Sequence, residues 1–452
     1  MDNPTPLGDK GDAGSARRLD RRILALAVPA LGALVAEPLF VLVDSVMVGH
    51  LGTAQLAGLS LASTLLVSAV GVFVFLAYAT TAATARRIGA GDRHGAISAG
   101  IDGMWLALAL GLVTATLAHA AAPWVVDALG APPDVAQHAV AYLRASAPGL
   151  PGMLLVLAAT GTLRGLLDTR TPFVVAAAGA VLNGVLNATF IYGLGLGVAG
   201  SGLGTAVTQL LMAAVLVSAV LRGARGTAVP LRPTRSGIWA SARTGTPLLV
   251  RTLSLRAAIL VTVAVATSLG PTALAAHQVV NALWGLAAFA LDALAIAAQA
   301  MVGHGLGARD ERTVRAVLRR TLQWGTAAGA AIGLVIGAAG WWIAPLFSPD
   351  PAVRRATALA LVVTGLCMPV AGWVFVLDGV LIGAGDGRYL AWAGMATLVV
   401  YLPLAGAVWL WAPQGAVGLA WLWAAFAGGF MASRAITTGL RARGDRWMVL
   451  GT

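Results

Sequence analysis

The sequence holds one cysteine, Cys367, and one lysine, Lys10, among its 452 residues. A lone cysteine inside an apolar run excludes an intrachain disulfide and any CxxC metal site. The lysine lies in the N-terminal tail, so the chain has no GxxxxGK[ST] phosphate loop, and ATP is excluded as an energy source supplied by this chain itself. One Gly-x-Gly-x-x-Gly occurs, Gly195 to Gly200, but it follows no strand and reads as a tight turn between two helices. No HExxH, paired-histidine or nucleophile-elbow pattern is present, so no enzyme, cofactor or metal is expected. Charge is scarce too. Asp, Glu, Lys and Arg make up 11% of the residues, against about 25% in a soluble domain, which is too little to cover a water-facing surface.

What fills the space is apolar: 58% of the residues are hydrophobic. Runs bounded by Gly, Pro and Arg fall near 23–48, 55–84, 97–120, 136–162, 172–193 and 201–221, then 244–268, 273–302, 321–345, 356–383, 389–411 and 416–438. Each is long enough to cross a bilayer. Pro148 and Pro151 interrupt a run too short to be two spans, so twelve spans are expected. The first run lacks an Ala-x-Ala cleavage site after it and reads as a retained helix, preceded by a disordered tail. The net charge of +12 sits in short clusters between runs, a topology signal rather than a nucleic-acid surface. With the N-terminus inside, 25 of the 30 basic residues fall on inside segments. Both termini are therefore expected in the cytoplasm of a bacterial cell, with the chain in its inner membrane.

Laying residue i against residue i+218 reveals an internal repeat. Pro29 meets Pro247, Asp92 meets Asp310, Trp124 meets Trp342, and Pro151 meets Pro369. Gly161, Gly165, Asp168 and Arg170 meet Gly379, Gly383, Asp386 and Arg388. Six spans per half is an even number, so both halves enter the membrane in the same direction and the repeat axis lies along the membrane normal. The expected fold is an all-α membrane protein of two six-helix lobes, 23–221 and 244–440, with tails 1–22 and 441–452. A linker, 222–243, carries Pro230 and Pro233.

The stretch Glu37-Pro38-Leu39-Phe40-Val41-Leu42-Val43-Asp44, followed by Val48-Gly49-His50-Leu51-Gly52, resembles the opening of the multidrug and toxic compound extrusion family, in its DinF-like branch. So do Gly161-Thr162-Leu163-Arg164-Gly165 with Asp168-Thr169-Arg170-Thr171-Pro172, and their counterpart from Gly379 to Arg388. The likeness covers roughly 20–440. It implies a secondary-active efflux transporter that exports amphipathic organic cations by antiport with protons, or with sodium. A lipid-linked oligosaccharide flippase of related architecture is the alternative, but it needs several basic cavity residues, and only Arg251 and Arg256 qualify.

Carboxylates inside spans are the candidates for ion coupling, because charge at membrane depth is costly and faces a cavity or a partner. The spans enclose Glu37, Asp44, Asp292 and Asp378, whereas Asp102 lies near enough to a span end to be solvated. Glu37 and Asp44 are seven residues apart and share a helix face. Pro38 between them, and Pro29 before them, remove backbone donors and are candidate hinges. On the fifth span Asn183 and Asn187 face the same way, and Thr205 opens the sixth. The resemblance implies that Asp44, Asn183 and Thr205 form one hydrogen-bonded cluster, and it places Asn187 where an archaeal relative has a second aspartate. A proton and a cationic substrate that compete for one titratable carboxylate exclude each other, which is the basis of antiport.

In the second lobe the candidates for a substrate cavity or ion pair are Asp292, Asp378, Arg256, Gln278, Asn281, Gln299 and Trp284. Arg256 is expected to pair with Asp292 or Asp378. Sodium-coupled relatives of the NorM type carry a glutamate on the seventh span; here that region offers Leu255 and Arg256. Trp409, Trp411, Trp421 and Trp423 are expected in an interfacial belt. Expected partners are small amphipathic substrates and membrane lipids, with no nucleic acid, and a monomer is expected.

Overall fold

The computed structural model describes residues 12–224, 229 and 231–451. Lys10, with the start of the tail, and Pro230 of the linker lie outside the described residues. Among them, twelve helices are long and apolar enough to cross a membrane. In the first lobe these are span 1 (Ala16–Gly49), span 2 (Thr53–Gly89), span 3 (Arg93–Ala128), span 4 (Pro133–Gly165), span 5 (Arg170–Gly193) and span 6 (Gly197–Gly223). In the second they are span 7 (Arg235–Ser268), span 8 (Pro271–Gly307), span 9 (Glu311–Ala338), span 10 (Pro351–Gly383), span 11 (Gly387–Trp411) and span 12 (Ala416–Arg443). An even count brings residues 12 and 451 to one side, the terminal face.

Three boundaries differ from the sequence reading. Residues 12–22 are not disordered, because the first helix starts at Asp12 and runs through both Pro29 and Pro38 to Gly49. The helix of span 9 begins at Glu311, ahead of its apolar run, where Asp310 caps it by accepting from the Thr313 amide at 3.0 Å. The connection between lobes contracts to the stretch between Gly223 and Arg235. There Thr234 donates to Asp102 at 3.3 Å, so that carboxylate is engaged rather than merely solvated.

The repeat reappears as repeated contacts. Gly161 and Gly165 of span 4 lie against the backbone of span 2 at Ala77 and Thr81. Gly379 and Gly383 of span 10 lie in the same way against Ala295 and Gln299 of span 8, each pair 218 residues on. Lipid tails are as apolar as the helices, so no hydrophobic force drives these helices together. Small residues that let backbones approach supply the packing instead. Gly379→Val is therefore expected to lower the unfolding temperature in detergent by several degrees, overpacking costing about 1–3 kcal/mol. Gly406→Val is the control: a Cβ there meets nothing within 4 Å. Equal melting of the two variants would contradict this packing.

The two lobes meet at the terminal face. There Gly89 of span 2 sits on the backbone at His304 and Ala308, while Gly307 of span 8 sits on Arg86 and Ala90, so the two-fold related helices cross glycine on backbone. Three polar ties flank the crossing. Gln299 donates to the Tyr78 carbonyl at 2.9 Å. Arg320 of span 9 grips Asp20 of span 1 with two hydrogen bonds, 2.6 and 2.7 Å, joined by the Trp324 indole at 2.8 Å. Arg86 donates to carbonyls of Ala384, Val449 and Gly451, which fastens the end of the chain across both lobes. Trp409, Trp411 and Trp421 are exposed, but Trp423 is 1% exposed and belongs to the core of the second lobe rather than to a belt.

Candidate functional site

Asp44 lies five residues before the end of span 1, close to the face opposite the termini. It is 3% exposed, and every polar group on it is neutral. Oδ1 accepts from the Asn187 amide. Oδ2 accepts from the Thr205 hydroxyl at 3.3 Å and from the Tyr142 hydroxyl at 3.5 Å. A second layer holds these donors in place: Asn187 also donates to Asn183 Oδ1 at 3.3 Å, and Asn183 donates to Thr205 Oγ1 at 3.4 Å. Ser201 is buried alongside with its hydroxyl outside hydrogen-bonding geometry. Asn183 and Asn187 project together because they are one helical turn apart. Just beyond them the helix loosens into a π turn, Thr189–Gly193.

Asn187 Oδ1 is buried without any hydrogen-bond partner. An orphaned acceptor beside a carboxylate is costly unless it has a second use. A protonated Asp44 gains a donor. Turning the amide over would present that oxygen to the new O–H, so the pocket holds hydrogen-bonding groups for both states of the carboxyl. Tyr142 and Ser201 escaped the sequence reading, since they sit on spans 4 and 6 and carry no charge to single them out.

Glu37 does not join this cluster. Two turns separate it from Asp44 by about 10 Å along the axis, so the two side chains meet different layers. Glu37 is exposed, with Arg256 of span 7 as the cation whose field reaches it. Arg256 itself rests against Gly71 of span 2.

The second lobe departs from expectation in its choice of arginine. Asp378 Oδ2 accepts from Arg251 at 2.7 Å and also from Arg434, and all three are under 9% exposed. Arg256 takes no part. It lies five residues after Arg251, or about 140° around the helix at 100° per residue, and so faces the other lobe. Arg434 falls within the run 416–438 expected as the twelfth span, and span 12, which continues to Arg443, buries it. Asp292 feels Arg251, Arg434 and Arg164 electrostatically, yet accepts no hydrogen bond from the described residues. The remaining candidates do not gather around it. Gln278 is exposed, Asn281 is half-buried, and Gln299 is spent on the Tyr78 carbonyl. Trp284 packs in the core against Trp423 at 5.9 Å and Phe426 at 5.5 Å. No group of acidic, histidine or cysteine side chains suited to a metal occurs among the described residues.

The repeat shows how unlike the two lobes have become. At +218, Asp44 becomes Thr262 and Asn183 becomes Tyr401, and these two hydroxyls bond at 2.6 Å. Thr205 becomes Trp423. Where the first lobe holds a carboxylate among amides, the second holds an uncharged pair walled by Phe426 and Phe430.

The chain matches the family model described as MatE twice, over residues 29–189 and 247–406, starting 218 residues apart. It is 30% identical over 396 residues to Protein DETOXIFICATION 44, chloroplastic, of Arabidopsis thaliana, covering 85% of this chain and 75% of that protein. It is 27% identical over 406 residues to DNA damage-inducible protein F of Escherichia coli (strain K12), covering 86% and 88%. A solved MOP superfamily transporter from Pyrococcus furiosus superimposes with a TM-score of 0.84 at 22% identity, covering 96% and 98%. That likeness speaks for the fold.

Proposed function

The chain belongs to the MatE family, and from that premise we propose that it is a secondary-active multidrug exporter in which Asp44 exchanges a proton for an amphipathic organic cation. The terminal face lies in the cytoplasm of a bacterial cell and the chain sits in its inner membrane. The observation that carries this reading is the contrast between the buried carboxylates. Asp44 has only neutral partners and an unused acceptor beside it, so it has somewhere to place a proton. Asp378 is shared by two guanidiniums, which satisfy its charge and repel a sodium ion.

The cycle follows from charge. Ionised Asp44 favours a cationic substrate in the cleft. A proton arriving from the opposite face neutralises the carboxylate, removes that attraction, and lets the substrate leave outward. Pro29 and Pro38 leave the carbonyls one turn before them without donors, the places where span 1 bends at least cost. The flippase reading is the weaker one because a pyrophosphate needs several basic side chains with free donors, and Arg251 and Arg434 are both hydrogen-bonded to Asp378. In proteoliposomes loaded with an organic-cation dye, an inward proton gradient is expected to drive dye movement without sodium. An inward sodium gradient at equal pH that drives it as well would overturn the assignment.

A further inference from the structure

The second lobe carries a groove built from spans 9, 10 and 12 alone. Its volume is about 480 Å³, inside the range of about 300–1,000 Å³ typical of small-molecule sites. Pro369 and Trp373 of span 10 form the floor, Thr326 of span 9 one wall, and span 12 the other. Spans 9 and 10 approach closely because Gly325 lies on the Gly372 carbonyl. On the opposite side the Trp373 ring lies against the backbone of span 12 at Gly439, where a larger residue would displace it. Thr326, Ile436 and Leu440 are exposed, so the groove opens sideways toward the bilayer. Ile436, Leu440 and Arg443 follow one another at four and three residues and share a face of span 12. From Ala435 to Arg443 the wall runs about 12 Å, apolar until it ends in a guanidinium.

Arg443 forms no hydrogen bond or ion pair with any described residue. Other arginines of this end are engaged. Arg441 pairs with Asp386 and lies over the Tyr389 ring, while Arg315 pairs with Glu311 and Asp445. Arg319 of span 9 is a second exposed guanidinium without a partner among the described residues. It precedes Thr326 by seven residues and so lies on the face that walls the groove. The glycine contacts place the two arginines at similar height. Gly325 and Gly439 meet adjacent residues of span 10, Gly372 and Trp373. Toward the terminal face, Arg319 lies about 9 Å from Gly325 and Arg443 about 6 Å from Gly439 at 1.5 Å per residue. Both stand where an apolar run gives way, 321–345 on span 9 and 416–438 on span 12, which is the level of the lipid headgroups.

We propose that this groove binds one anionic phospholipid of the leaflet at the terminal face, with an acyl chain along Trp373 and Gly439 and the phosphate between Arg443 and Arg319. A slot that is apolar along its length and basic at its mouth matches an acyl chain joined to a phosphate. The unpaired charge sets the class, because a zwitterionic lipid brings its own cation to two arginines that lack an anion. The site is separate from the Asp44 pocket and does not depend on the exporter reading.

The full chain, delipidated in an uncharged detergent, is titrated with dioleoylphosphatidylglycerol and with dioleoylphosphatidylcholine, and native mass spectrometry measures the affinity of the first bound lipid. One arginine near an anionic headgroup contributes about fivefold in affinity, so the wild type is expected to prefer phosphatidylglycerol by about tenfold or more. Arg443→Gln is expected to cut that preference about fivefold, and Arg443→Gln with Arg319→Gln to bring it close to one. Thr326→Trp fills the slot from its exposed wall and is expected to weaken both lipids by one common factor. Arg222→Gln removes an exposed arginine at the same face of the first lobe and should leave the preference unchanged. A wild-type preference near one overturns the proposal, since the groove then takes any amphiphile. A loss with Arg222→Gln as large as with Arg443→Gln also overturns it, since the whole basic face then attracts the lipid. Phosphatidylglycerol affinity unaltered by Thr326→Trp overturns the groove as its place.

Discussion

Asp44→Asn is expected to bring proton-driven efflux down to the level of empty vesicles while the protein keeps its wild-type yield and melting temperature. An amide in place of the carboxylate retains the shape and one acceptor. The Thr205 and Tyr142 hydroxyls can rotate, and the unpartnered Asn187 Oδ1 can accept from the new amide. The net cost to the fold is therefore about 1 kcal/mol or less, that of one imperfect hydrogen bond. What is lost is titration. Wild-type affinity for a permanently charged cation should rise with pH, by at most about tenfold per unit, the slope for one linked proton. The variant should bind with flat pH dependence and still exchange substrate across the membrane without a gradient. Normal gradient-driven efflux by Asp44→Asn would remove this carboxylate from the mechanism.

The largest effect on stability is expected at Asp378. Removing it leaves Arg251 and Arg434 buried side by side with no anion between them, and breaking a buried pair in this way costs about 3–5 kcal/mol. Asp378→Ala should therefore give low yield and a much lower unfolding temperature. Replacing all three together, with Arg251→Met, Asp378→Leu and Arg434→Met, should recover most of the loss, because no charge is then stranded. Glu311→Ala, which breaks the half-exposed pair with Arg315, should change stability by less than about 1 kcal/mol. If Asp378→Ala melts like Glu311→Ala, the triad is not holding the lobe together.

Length and hydropathy made the twelve spans legible, because a bilayer demands long apolar helices and tolerates few exceptions. The repeat was legible for a different reason: glycines where backbones touch and aspartates that cap helices cannot drift far in position. Asp44 stood out as a charge in an apolar run, and its amide and threonine partners came through family resemblance. Tyr142 did not stand out, since a hydroxyl on a buried aromatic ring leaves no periodic trace and its partner is 98 residues away. The arginines misled for a geometric reason. Rotation about span 7 decides between Arg251 and Arg256, and the apolar run 416–438 does not by itself show that span 12 turns Arg434 inward.

The glycine crossing at the terminal face also sets a mechanical ratio. Spans 2 and 8 are each 37 residues long, about 55 Å at 1.5 Å per residue, and they approach most closely at one extremity, where Gly89 and Gly307 admit no side chain between the backbones. A fulcrum at the end of so long an arm has high gain. A turn of about 10° about it parts the far ends by about 10 Å, while atoms within 5 Å of the pivot move less than about 1 Å. The tie of Arg86 lies near that pivot, where such a turn strains it little, whereas the Gln299–Tyr78 bond sits about 12–16 Å along the arms, where the same turn opens it by about 2 Å; the Asp44 pocket rides at the far end, where it travels most.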